Sequence, residues 1–214
     1  METVNIALHS TFFGSHSTFC EMALPHKIAT LLYCFNEYDE VLLLERTKEP
    51  NLGLWSPCGG KLHTDAGESP YNCACREAYE EIRLRLDPFD LRLTGIVSEH
   101  GYAGQAHWLM FLFEVRRRLT LLPPPHPEGH FQFFPAAAVA ALKLPETDRE
   151  QIWPLFWRHR GGFFAAHCRS NPHGHNEWAI EESRIATKLV CPPSTGANPF
   201  PQDALLIPPL GFNV

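Results

Sequence analysis

The chain of 214 residues lacks several features that would assign it to whole classes of protein. It has no apolar stretch near the roughly 18–20 residues needed to span a bilayer, so no membrane helix is expected. Its amino terminus, METVNIALHS, has no basic region followed by a sustained apolar one, which argues against a secretion signal. It has no basic stripe. The formal charge is −6, and Arg116-Arg117-Arg118 is the one compact basic run; a nucleic-acid polymer is therefore not an expected partner. It has no CxxC pair. Seven cysteines is an odd number, and Cys20, Cys34, Cys58, Cys73, Cys75, Cys168 and Cys191 are irregularly spaced, which favours free thiols in a reducing, cytoplasmic setting. The group His167, Cys168, His173 and His175 fits no regular zinc spacing and reads more simply as a polar loop. No internal repeat is found.

With 44% hydrophobic and 20% charged residues, the chain has enough apolar material for one sizeable core. Ile28 to Phe35 and Glu40 to Arg46 read as a hairpin about the turn Asn36-Glu37-Tyr38-Asp39. Leu91 to Glu99 and His107 to Val115 read as further strands. The second is nearly all apolar, which places it centrally with both faces covered. Phe131 to Phe134 reads as a short strand and Ala136 to Leu142 as a short helix, after the proline-rich loop Leu122 to Pro127. Thr147 and Glu150 suggest a capping box opening a second long helix. Pro154 should kink that helix, and Gly161-Gly162 should end it. Residues 1–24 are expected to be an extension, 25–186 the folded domain, and 187–214 a proline-rich tail that wraps the domain or stays mobile.

The stretch Gly59 to Leu84 carries the chemistry. Ser69 is a suitable N-cap and Pro70 a suitable first helical residue. At about 100° per residue, Cys73, Glu77, Glu80 and Glu81 fall on one side of this helix. Tyr71, Ala74, Cys75, Ala78 and Ile82 fall on the other, expected to be buried. Arg76 lies one turn before Glu80 and can pair with it. A solvated acidic face is the ordinary meaning of such a run. Clustered carboxylates repel, however, by about 4 kcal/mol for two unit charges about 4 Å apart near a surface. A hard divalent cation, bound by carboxylate and phosphate oxygens, relieves that repulsion.

Glu68, seven residues, then Arg76-Glu77-Ala78-Tyr79-Glu80-Glu81-Ile82-Arg83-Leu84 resembles the Nudix box, the signature of hydrolases acting on a nucleoside diphosphate linked to another group. Seven residues, where the family has five, separate Gly60 from Glu68, so the HTDAG loop carries two extra. Ala78 replaces a larger aliphatic residue. Arg83 stands where the family has a helix-ending glycine and should cost about 1 kcal/mol there. Upstream, Trp55-Ser56-Pro57-Cys58-Gly59-Gly60-Lys61 is similar to the family's tryptophan-to-lysine approach, with Cys58 in the slot the proline vacates.

The resemblance implies an α/β Nudix fold, a mixed β-sheet sandwiched between helices, and it is nearest to the MutT-like branch that removes oxidised nucleoside triphosphates. It implies Mg²⁺ or Mn²⁺ held by Glu77, Glu80 and Glu81, with Glu68 supporting and the carbonyl of Gly59 or Gly60 contributing. Glu128, a few residues before an aromatic strand, matches a further metal ligand or base. Arg76 would orient the glutamates, and Glu80 or Glu128 would take a proton from water. Arg46 and Lys61 are candidate phosphate contacts, or ordinary surface cations. Glu146 and Asp148 are candidates for reading a purine edge, or helix-start charges favoured by the dipole; Trp153 is either a stacking ring or core. Glu99-His100 is a further candidate pair. The implied partner is a small-molecule nucleotide. ADP-ribose, dinucleoside polyphosphates and nucleotide sugars remain open as substrates, as do a non-catalytic nucleotide-binding module and a homodimeric assembly.

Overall fold

The computed structural model describes residues 23–49, 51–102, 104–171 and 176–186. Cys20, Cys191, His173, His175 and the segment 187–214 lie outside the described residues. The framework is one mixed sheet of eight strands. The strands are β1 (His26–Asn36), β2 (Val41–Arg46), β3 (Trp55–Ser56), β4 (Leu91–Tyr102), β5 (Ala106–Leu119), β6 (Gly129–Phe134), β7 (Phe163–Arg169) and β8 (Glu177–Arg184). They run in the order β3-β2-β1-β5-β4-β7-β8, with β6 on β2. Helix α1 (Pro70–Ile82) lies against one face; α2 (Ala136–Val139) and α3 (Trp153–His159) belong to the other side.

Alternation along each central strand explains the sandwich. On β1, Leu32 and Cys34 join Ala74, Ala78 and Ile82 of α1, whereas Tyr33 and Phe35 join Trp153, Leu155 and Phe156 of α3. Leu42 and its neighbours Leu43 and Val41 divide in the same way. A strand covered on both faces must be apolar at every position, which accounts for the unbroken runs in β1 and β2. The strand β5 is central, between β1 and β4, as its composition predicts.

Near the hairpin turn β1 pairs with β2, at Phe35 and Val41, and β2 then pairs with β6 and β3. The glycine loop after β3 crosses back to β1: Leu32 N–H donates to the Cys58 carbonyl (2.7 Å), Thr30 N–H to Gly60 (2.8 Å), and Leu62 N–H to Ile28 (3.0 Å). The loop is thus held as an irregular strand edge.

Three local expectations are corrected. His167 and Cys168, expected in a polar loop, lie on β7, where Cys168 is buried because alternate residues of that strand face the core. Thr147 makes no side-chain cap, and Asp148–Ile152 is a π-helical turn leading into α3. Pro154 follows one residue into α3 and has no N–H to give, so the wider turn accommodates the break that proline imposes. In α1, Cys73 is fully buried and Tyr71 is partly exposed, the reverse of the helical-wheel reading. Cys73 packs onto β1, its Sγ 3.5 Å from Thr30 Oγ1, while Tyr71 lies at the helix start, edge-on to Phe113.

Candidate active site

Helix α1 begins as its sequence predicts. Ser69 Oγ accepts the Asn72 N–H at 3.1 Å, and Pro70 fills the first turn. It ends with Arg83 in the left-handed region (φ 56°), whose N–H donates to the Tyr79 carbonyl while Leu84 N–H donates to Ala78. The enlarged loop contains a single 3-10 turn, Thr64–Ala66, closed by Gly67. That turn returns the chain so that His63 N–H donates to Glu68 Oε2 at 2.8 Å.

Arg76 is the hub of the carboxylate cluster. Its Nε and Nη2 donate to the two oxygens of Glu68 (2.8 and 3.0 Å), and its Nη1 donates to Glu77 (2.7 Å) and Glu80 (3.0 Å). Nη2 also donates to the Lys61 carbonyl at 3.1 Å, tying the glycine loop to the helix. The guanidinium holds the Glu68 carboxyl down at about 2, helped by the His63 N–H. Glu77 and Glu81 behave differently. Burial raises both; Glu81 is pushed up to about 7, with the Gly59 N–H (2.9 Å) partly offsetting the rise and the charges of Glu77 and Glu128 adding to it. Glu80 and Glu128 are the open members, with side chains 54% and 44% exposed. Glu128 pairs with Arg46 at 3.1 Å, across the register pair Arg46 and Gly129.

The paired glycines are explained by contact. A Cβ on Gly59 would run into the Thr30 carbonyl, and one on Gly60 into the Glu77 carboxylate. The Gly60 carbonyl accepts the Thr30 N–H at 2.8 Å. No three metal-ligating side chains converge on one point among the described residues. The donor set nevertheless suits a hard divalent cation: two half-buried carboxyls, raised chiefly by desolvation, with the charge of Glu77 adding to the rise at Glu81, offer oxygen ligands, and only Glu77 has a cation, Arg76, against it.

The opposite face of the sheet carries a second polar group. Leu31 on β1 and Met110 on β5 lie mid-sheet yet are only partly buried, so this face is open there. Around it, Tyr33 Oη, Glu99 Oε1 and Trp153 Nε1 are buried side-chain atoms without a hydrogen-bond partner. Unpaired buried polar atoms are costly and call for a ligand or water. Burial lifts Asp148 to about 7, and burial together with the charge of Asp148 lifts Glu99 to about 7. Asp148 also raises Tyr33 and Tyr102, secondary to their burial. Glu146 is exposed. Trp153 is core, edge-on to Tyr33 at 4.9 Å and stacked on Trp157 at 5.5 Å. His100 is exposed and its ring lies 4.7 Å from that of His107, so the two members of the Glu99-His100 pair face different surroundings. Tyr33 was not anticipated; its phenolic hydroxyl, in an otherwise apolar stretch of β1 from Leu31 to Phe35, was its one signal.

A family model of the NUDIX domain matches residues 25–155. The chain belongs to the NUDIX family. It is a Nudix pyrophosphohydrolase, and its substrates are of the nucleoside diphosphate-linked class. Among solved structures, a mutator MutT protein from Bacillus halodurans is 24% identical, with a TM-score of 0.57 over 72% of this chain and 97% of that one. A MutT protein from Methanosarcina mazei is 21% identical, with a TM-score of 0.52 over 64% and 94%. These likenesses show the Nudix fold. No helix among the described residues is long and apolar enough to cross a membrane.

Proposed function

We propose that this Nudix enzyme hydrolyses a purine nucleoside triphosphate, with oxidised purines preferred, to the monophosphate and pyrophosphate. The observation that carries the purine reading is the buried group of Tyr33, Glu99 and Trp153 with unpartnered polar atoms beside Asp148. A purine edge offers both donors and acceptors, and an apolar floor of Leu31 and Met110 suits its ring. Two carboxyls poised near neutrality can each donate or accept, which fits a base whose edge has been altered by oxidation.

Glu77, Glu81 and the carbonyl of Gly59 or Gly60 would hold Mg²⁺ or Mn²⁺, which supplies neutralisation of phosphate charge and acidification of water. Arg76 orients Glu68, Glu77 and Glu80 through four short hydrogen bonds. Glu80 or Glu128, the two water-accessible carboxylates bordering the buried pair, takes the proton of the attacking water. The water oxygen bonds to phosphorus, the P–O bond between the two halves breaks, and pyrophosphate leaves. Arg46 and Lys61 bind phosphate oxygens. The test is a panel of normal and oxidised purine triphosphates, pyrimidine triphosphates, ADP-ribose, dinucleoside polyphosphates and nucleotide sugars, scored for pyrophosphate and phosphate. Preference for a purine triphosphate is expected; preference for ADP-ribose, or binding without turnover, overturns the reading.

A further inference from the structure

Lys27, Trp108 and Glu99 are cross-strand neighbours in one row. Lys27 is the register partner of Trp108, and Trp108 that of Glu99. Direct partners project to the same face of a sheet, so this row borders the open floor formed by Leu31 and Met110. The glycine loop reaches the same place, because Lys61 bridges to Ala29 on β1. The Nζ atoms of Lys27 and Lys61 lie 5.3 and 5.9 Å from the centroid of the one Trp108 ring.

The two ammonium groups share one ring, and among the described residues neither has a carboxylate within ion-pair distance. Each ammonium gains only about 0.5–1 kcal/mol from an exposed ring. An anion beside the ring would be attracted by both. Position names the anion. The Lys61 carbonyl accepts from Arg76 in the carboxylate cluster (3.1 Å), while its side chain lies on Trp108 beside Glu99 of the purine cleft. The pair therefore stands between the two halves of the site, where a phosphate chain would run.

We propose that Lys27 and Trp108 complete, with Lys61, a clamp for the polyphosphate chain, Trp108 holding both ammoniums over its path. The clamp rests on the proposed function for the identity of the nucleoside, but its own ligand is the phosphate chain. Inorganic tripolyphosphate without metal is thus a sufficient probe. Calorimetric titration of the full chain in EDTA at low salt should show Lys27→Gln weakening tripolyphosphate binding about tenfold or more, the scale of one charge-assisted hydrogen bond. Lys27→Arg should recover most of it, and Trp108→Leu should weaken it with Lys27 and Lys61 both intact. With nucleotide and Mg²⁺, Lys27→Gln should raise KM much more than it lowers kcat, and its melting temperature should match the wild type. Wild-type affinity in Lys27→Gln, or no tripolyphosphate binding by the wild type, overturns the clamp. Lys27-dependent tripolyphosphate binding by a protein that cleaves no triphosphate overturns the proposed reaction and leaves the clamp standing.

Discussion

Replacing Asp148 by asparagine should make the protein relatively more stable as pH rises. Asp148 ionises at 3.8 in the open chain and at about 7 in the folded one, because burial disfavours its charge. Across that window the folded state binds the extra proton, so the wild type loses stability with rising pH until the folded group has ionised. Each pH unit of the separation corresponds to about 1.4 kcal/mol, so the span from about pH 5 to 7 gives at most about 2.7 kcal/mol. The residue keeps partial solvent contact, and screening reduces this to about 1–2 kcal/mol. Asparagine has the same shape and does not titrate. Urea unfolding of both proteins at about pH 5 and about pH 8 should show the stability of Asp148→Asn, relative to wild type, rising by that amount. Carboxyl NMR should also show Glu99 titrating at lower pH in the variant, since the Asp148 charge raises it. Parallel stability curves would refute the reasoning, because they would mean that the Asp148 carboxyl is as well solvated folded as unfolded.

Glu80→Gln should leave melting unchanged and cut turnover about a hundredfold or more if Glu80 is the base, within the usual 10²–10⁴ range; if Glu128→Gln shows that loss and Glu80→Gln does not, the base is Glu128. Gly60→Ala places a methyl group on the Glu77 carboxylate, so the Mg²⁺ concentration giving half-maximal rate should rise at least about tenfold, and an unchanged value counts against Glu77 as a ligand. Arg83→Gly should stabilise the protein by about 0.5–1 kcal/mol in urea melts, because Arg83 holds φ 56° where glycine is unstrained; a loss of stability would show that its stacking over Tyr79 outweighs the strain.

Much of the site was legible because its signals are local. The cap at Ser69, the left-handed Arg83 and the pairing of Arg76 with Glu80 are all settled within one or two helical turns. The glycine pair was legible as a close approach, though sequence alone does not say that β1 and Glu77 are what approach it. The helix start at Thr147 was misread because a capping box is also a common surface pattern, and Pro154 beyond it selects a π-helical turn. The strands β7 and β8 went unrecognised: five of the seven residues of Phe163–Arg169 are short or polar, and Glu177–Arg184 is an exposed edge whose charges mask its period. The second polar group was hardest to read. Tyr33, Glu99 and Asp148 come from β1, β4 and the turn before α3, and only the parallel pairing of β1 with β5 and the antiparallel pairing of β5 with β4 bring the first two to one face.

The central claim is that a carboxylate-bound cation and a purine cleft act on one nucleoside triphosphate. The most direct test is to incubate the protein with 8-oxo-dGTP, dGTP, dCTP and ADP-ribose, with Mg²⁺ or with EDTA, and to identify the products by ³¹P NMR. The expected result is equimolar monophosphate and pyrophosphate from the purine triphosphates, fastest from the oxidised one, and no reaction in EDTA. Faster cleavage of ADP-ribose or dCTP, or turnover that persists in EDTA, would contradict it.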